Sequence, residues 1–298
     1  MMAQGQKITP FLWYDHEAGE AAKLYTSVFR DSRITGTRTL DGTPSGRVKV
    51  VTTELIGQEF SMMSAGPPFK FTPAVSFLVA CRTKEEVDQS WEALSKGGKA
   101  LMELGAYPFS QRYGWVQDRY GLSWQLMHMG DLPVHQGITP TLMFTGKQAG
   151  RAEEAMDLYV SVFRDAKVGD IMRYGPGEEP DRDGTIKHGE LKLEGQWFAA
   201  MDSARPHEFT FNEAISFVVH CRNQREVDHY WGRLTAVPEA EQCGWLKDRF
   251  GVSWQVVPTA LDEMLMDKDA RKVARVRDAF LKMKKLDIAA LKKAYEGK

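Results

Sequence analysis

The two halves of the chain carry the same residue blocks in the same order, so the fold has to be one that can be built twice. Ile8-Thr9-Pro10 returns as Ile138-Thr139-Pro140, and Ala21 to Asp31 returns as Glu154 to Asp165, one residue longer at its start. Val75-Ser76-Phe77 matches Ile215-Ser216-Phe217, Cys81-Arg82 matches Cys221-Arg222, and Glu86-Val87-Asp88 with Trp91 matches Glu226-Val227-Asp228 with Trp231. The last block, Gly114-Trp115 and Asp118 to Gln125, is answered by Gly244-Trp245 and Asp248 to Gln255. The offset drifts only in Gly/Pro-rich stretches such as Tyr174 to Gly177, where surface loops tolerate insertion. Two tandem domains, 1–130 and 137–258, are therefore expected, followed by a basic helical tail over 259–298.

Within copy 1, strand-like and helix-like periods alternate. Residues 8–14 form a short apolar run; residues 17–29 space Ala18, Ala21, Ala22, Tyr25 and Val28 as a helix, with Asp15 expected to cap it. Strand-like runs follow at 47–56 and 58–64. The order then restarts, with a buried-strand run at 74–81 and a helix from Thr83, whose capping-box partner is Glu86. Further strands end in a hairpin around Asp118 to Gly121. Each copy thus reads β-α-β-β-β twice, an α+β protein with mixed sheets.

Composition removes several classes of function. A formal net charge of -1 argues against a nucleic-acid-binding protein. No apolar run reaches membrane-spanning length, and nothing at the N-terminus looks like a secretion signal, so no membrane partner and a cytoplasmic location are expected. Cys81, Cys221 and Cys243 lie in no ligand spacing, so neither a disulfide framework nor a structural zinc site is expected.

The paired β-α-β-β-β units resemble the vicinal oxygen chelate superfamily, the glyoxalase/bleomycin-resistance/dioxygenase fold, in which two units curl their sheets into a cup. Glu154 to Asp165, Phe209 to Ser216 and above all Gln242 to Pro258 resemble the PhnB-like family that often carries the label 3-demethylubiquinone-9 3-methyltransferase. Met283 to Ile288 matches that family's usual ending. Copy 1 departs from it in a longer approach, Glu103 to Arg112, where copy 2 has Pro238 to Gln242, and in Tyr113, where copy 2 has Cys243. The superfamily resemblance implies a divalent metal held near Ile8, Ala74, Ile138 and Ala214 and near Gln125 and Gln255. None of these supplies negative charge, so no metal and no cofactor are expected. The methyltransferase label implies an S-adenosylmethionine site, yet no glycine-rich turn follows a strand within a β-α-β unit.

With a four-residue loop at Asp118 to Gly121, Trp115 would oppose Trp124 and Gly114 would oppose Gln125. Copy 2 would pair Trp245 with Trp254 in the same way. One reading makes the tryptophans a core pair and Gln255 a satisfied interior amide. The other turns serine and glutamine into a cup and gives one cup Trp13, Met63, Ser123 and Gln125, the other Met143, Met201, Ser253 and Gln255. Such cups suit an unknown small aromatic or amphipathic molecule bound without metal. A metal-dependent lyase, transferase or dioxygenase is the alternative, with His188, Glu190 and His220 as its first candidate ligands; whether the chain is an enzyme stays open. No nucleophile elbow or triad recurs in both copies. In the tail, Val273, Val276, Phe280 and Met283 form an apolar stripe, and Asp287 is placed to cap a last helix carrying Ile288 and Leu291. That stripe predicts docking on the chain itself or on a partner subunit. The tandem copies are expected to act as an internal pseudo-dimer, with a homodimer of whole chains also open.

Overall fold

The computed structural model describes residues 6–298. The first unit comprises β1 (Ile8–Tyr14), α1 (Ala18–Val28), β2 (Arg33–Thr43), β3 (Gly46–Leu55) and β4 (Gln58–Ser64). The second comprises β5 (Val75–Cys81), α2 (Lys84–Ser95), β6 (Lys99–Tyr107), β7 (Ser110–Gln117) and β8 (Ser123–His128). Copy 2 repeats this with β9 (Ile138–Phe144), α3 (Ala152–Val162), β10 (Lys167–Arg173), β11 (Ile186–Leu193) and β12 (Gln196–Asp202). Its last unit has β13 (Ile215–Cys221), α4 (Gln224–Leu234), a three-residue β14 (Trp245–Lys247) and β15 (Ser253–Pro258). The tail folds as α5 (Thr259–Leu265), α6 (Ala270–Phe280) and α7 (Ile288–Glu296). β2 escapes sequence reading because it is an edge strand with no buried position, so it shows no apolar alternation.

Neither sheet belongs to one copy. The seven-stranded sheet, order β14-β15-β13-β1-β4-β3-β2, joins the first unit to the last; the eight-stranded sheet, order β10-β11-β12-β9-β5-β8-β7-β6, joins the two middle units. We call them sheet I and sheet II. The seams are antiparallel, with Phe11 opposite Ser216 in sheet I and Ser76 opposite Thr141 in sheet II. The strands at the seams are buried on both faces, which accounts for their unbroken apolar runs.

One face of each sheet carries the helices and the main core: Leu12, Phe60, Phe77, Trp124, Phe217 and Trp254 are all fully buried there. Asp118 and Asp248 pin this core in both copies. Asp248 Oδ2 accepts from the Tyr159 hydroxyl at 2.7 Å and from Trp254 Nε1 at 2.9 Å, while Oδ1 accepts from the Phe250 and Val252 backbone N–H groups. Asp118 does the same with Tyr25, Trp124, Tyr120 and Leu122. A carboxylate thus ties the first helix of each copy to its last hairpin.

That carboxylate also corrects the expected register. Asp118 N donates to Leu122 O, Asp248 N to Val252 O, and Gly121 and Gly251 take positive φ, so each loop holds five residues and not four. Trp115 consequently opposes Gln125 and Val116 opposes Trp124; in copy 2 Trp245 opposes Gln255 and Leu246 opposes Trp254. One extra loop residue moves a tryptophan to the other face. The expected Trp115/Trp124 and Trp245/Trp254 pairs do not form. The expected Asp15 cap is replaced too: Glu17 holds the N-cap position of α1, without a side-chain cap bond. Thr83 and Asp287 do cap α2 and α7 as expected.

The tail completes the last unit. Cys243 N donates to Met283 O at 2.7 Å and Gly244 N to Lys284 O at 2.8 Å, so the segment before α7 lies where copy 1 has β6. Val276, Leu286 and Leu291 are fully buried against Leu261 and Met264, so the predicted stripe docks on its own chain. Among the described residues no helix is long and apolar enough to cross a membrane.

Candidate functional site

The inner face of each curled sheet, opposite the helices, is where the predicted lining residues meet, but they sort by sheet and not by copy. Trp13 and Met63, neighbours on β1 and β4, share sheet I with Ser253 and Gln255. Met143 and Met201 share sheet II with Ser123 and Gln125. Each expected cup is corrected in this way, because each sheet takes half of its strands from the other copy.

Sheet I builds an aromatic wall. The Trp13 and Trp245 rings stand 5.9 Å apart, Phe11 meets Trp245 edge-on at 5.4 Å, and Phe69 meets Trp13 edge-on at 5.2 Å. Trp13 Nε1 donates to Gly66 O at 3.0 Å, which fixes that ring; both tryptophans stay half-buried. Val48, Val50 and Met63 pack behind Trp13. Below the wall lies Gln255, buried, its amide nitrogen donating to Ser216 Oγ at 3.0 Å.

Sheet II has the same floor and different furniture. Gln125 Nε2 donates to Ser76 Oγ at 2.8 Å, and the Tyr113 hydroxyl donates to Gln125 Oε1 at 2.7 Å. Burial, with Tyr107 nearby, pushes the Tyr113 phenol well above its ordinary value, so it stays a neutral donor. Trp115 Nε1 donates to Ser123 Oγ at 2.7 Å. Tyr113, Trp115 and Met143 are buried together under Met102, Tyr107 and Met201, so this face is filled by its own side chains. In sheet I the position of Tyr113 belongs to Cys243, whose thiol instead approaches Leu281 O at 3.6 Å. Gln255 therefore has no phenol on its carbonyl.

The fold family implies a metal at such a centre, and these residues do not fit one. Ile8, Ala74, Ile138 and Ala214 are fully buried in the core, and the inner-face positions at the two seams are Phe11, Ser216, Ser76 and Thr141. With Gln125 and Gln255 these form a neutral set bonded largely to itself, and a divalent ion held in a cup draws on carboxylate or imidazole. Among the described residues, no group of three or more His, Cys, Asp or Glu side chains could hold a metal. His220 belongs to sheet I, its Nε2 3.0 Å from Thr9 Oγ1, while His188 and Glu190 belong to sheet II. Burial lowers both histidines, against the raising influence of Asp262 on His220 and of Glu190 on His188, so neither is a ready cation. Burial pushes the Cys81 and Cys221 thiols up to about 12, which removes them as nucleophiles.

A family model described as 3-demethylubiquinone-9 3-methyltransferase matches residues 6–127 and again 136–257. The chain belongs to that family. It holds two copies where a PhnB protein from Bacillus cereus, described as a 3-demethylubiquinone-9 3-methyltransferase, matches only one. That protein is 41% identical, with 41% of this chain and 99% of that one covered, at a TM-score of 0.39. Glyoxalase I from Zea mays is 11% identical over 88% of this chain and 98% of its own, at a TM-score of 0.53, a likeness of fold alone. No curated protein matches the chain.

The aromatic wall of sheet I went unread in the sequence because the hairpin register hid it. A four-residue loop would turn Trp245 toward Trp254 and away from the inner face, and Phe69 lies outside any strand. Phe11 was legible, since it sits two residues before Trp13 on one strand and so shares its face.

Proposed function

We propose that this family member binds a small aromatic or amphipathic molecule on the inner face of sheet I, without a metal. The observation that carries the reading is the half-buried pair Trp13 and Trp245, framed by Phe11 and Phe69 above the Gln255 amide. Aromatic surfaces set edge-on at these spacings accept a further ring, each contact contributing about 0.5–1.5 kcal/mol beyond buried area. A neutral amide beside them offers one donor and one acceptor to a polar substituent. Sheet II is the weaker candidate, since Tyr113 already occupies the amide and methionines fill the space. The free thiols suit a reducing cytoplasm.

The test is a fluorescence titration with 8-anilinonaphthalene-1-sulfonate, an amphipathic aromatic probe. We expect saturable binding at one site, unchanged by EDTA and weakened about tenfold or more by Trp13→Ala, the loss of one or two ring contacts. Binding that needs added metal, or that Trp13→Ala leaves unchanged, would defeat the reading.

A further inference from the structure

We infer that a cleft where the inter-copy linker meets the end of β5 binds a small oxyanion. The cleft has a volume of about 310 Å³ and is lined by Arg30, Arg82, Ala80, Ile56, His135 and Gly137, among others. It is separate from both inner-face sites, and it stands whether or not the sheet I reading holds.

The duplication supplies an internal comparison. At the matching place on sheet I, Lys7 stands for Gly137, His220 for Ala80, Glu194 for Ile56 and Tyr230 for Ser90. There the chain fills the space itself. Lys7 Nζ lies 2.6 Å from Glu226 Oε2 and 5.2 Å from the centre of the Tyr230 ring, Tyr230 donates to Glu194, and His220 bonds Thr9. On the copy 1 side these bulky polar groups are gone. Gly137 cannot be extended to replace Lys7, because a Cβ there would stand 2.5 Å from Ile56 Cγ2.

What remains is positive. Arg30 swings in to pair with Glu86 through Nη1, as Lys7 does with Glu226. Its buried Nε–H makes no hydrogen bond among the described residues, with the exposed Asp31 carboxylate 4.0 Å away, too far to accept one. A charged donor buried without an acceptor is costly, so an acceptor belongs there. Arg82 is exposed, and no carboxylate lies within salt-bridge reach of its guanidinium among the described residues. Glu86 and the more distant, exposed Asp31 offset Arg30, and the Arg82 guanidinium stays as the unpaired cation of the cleft among the described residues. An ammonium ligand would find no carboxylate among the lining residues, and the nearby Glu86 already accepts from Arg30 and from Arg82 N at 2.6 Å. Two guanidinium groups, Arg82 exposed and Arg30 with an Nε–H that makes no hydrogen bond, suit the oxygens of a phosphate or carboxylate. His135, stacked on Trp197 at 4.3 Å, forms the rim on the linker side.

Calorimetric titration of the full chain with inorganic phosphate, and separately with malonate, tests this at low ionic strength. We expect saturable one-site binding of at least one of the two, and which one binds distinguishes phosphate from carboxylate chemistry. Arg82→Ala, an exposed change that spares the fold, should weaken it at least tenfold while leaving 8-anilinonaphthalene-1-sulfonate binding unchanged. In crystals soaked with the bound anion, an oxygen should lie against Arg30 Nε. Absence of saturable heat with both anions, equal binding by Arg82→Ala, or a water alone at Arg30 Nε would overturn the inference.

Discussion

Glu226 shows how a single charged side chain is made to serve the fold. It is buried at the start of α4, which opposes ionisation. The Lys7 ammonium, the Arg222 backbone N–H and the Arg222 guanidinium overcome that and hold its carboxyl down to about 2. A folded-state value below the unfolded one means stability that is complete above the ordinary glutamate value of 4.5. It is lost as pH falls from there through about 2. Glu226→Gln should therefore be less stable than the parent near neutral pH, by urea unfolding, with the gap closing across that acid window. A gap independent of pH would mean that the pair contributes nothing through charge. At this scale the sequence was partly legible. The Thr83 and Asp287 caps could be read because a cap bonds the backbone three residues away. The role of Asp248 could not, since its partner Tyr159 lies far back in the chain and only the fold brings the two together.

At the scale of elements, strands with a buried face were read from their pattern, and β1, β4 and β5 fall within a residue of expectation. The hairpin register failed for a local reason: whether the Asp-Arg-aromatic-Gly loop holds four or five residues depends on a side chain accepting two backbone N–H groups, which periodicity does not encode. The tail likewise showed its apolar stripe but not its place. Only the short approach of copy 2, Pro238 to Gln242, hinted that something else must supply the missing strand. Gly244 allows it, at φ 88° with Leu286 Cδ1 3.1 Å from where a Cβ would stand. A chain ending at Thr259 should show faster amide exchange at Cys243 and Gly244, whose acceptors Met283 and Lys284 are lost. Unchanged protection there would mean that the tail only rests on the domain.

For the molecule as a whole, the sequence shows the duplication and leaves the pairing ambiguous, because units of like sequence can join within a copy or across copies equally well. The structure joins them across copies in both sheets. Residues 1–130 alone thus hold one half of each sheet, with the apolar seam strands β1 and β5 uncovered. That fragment should self-associate into a dimer that rebuilds the seams, as measured by light scattering with size exclusion. A folded, stable monomer would show that a copy can close on itself. The same crossing makes the proposed site a joint product: Trp13 comes from copy 1, Trp245 and Gln255 from copy 2.

The most direct measurement is a crystal structure of the full chain with a bound aromatic probe, recorded with anomalous data for metals. The ring should lie against Trp13 and Trp245 within reach of the Gln255 amide, with no metal peak on the inner face of sheet I. A metal ion held there by protein side chains, or a probe bound elsewhere with that face unoccupied, would contradict the account.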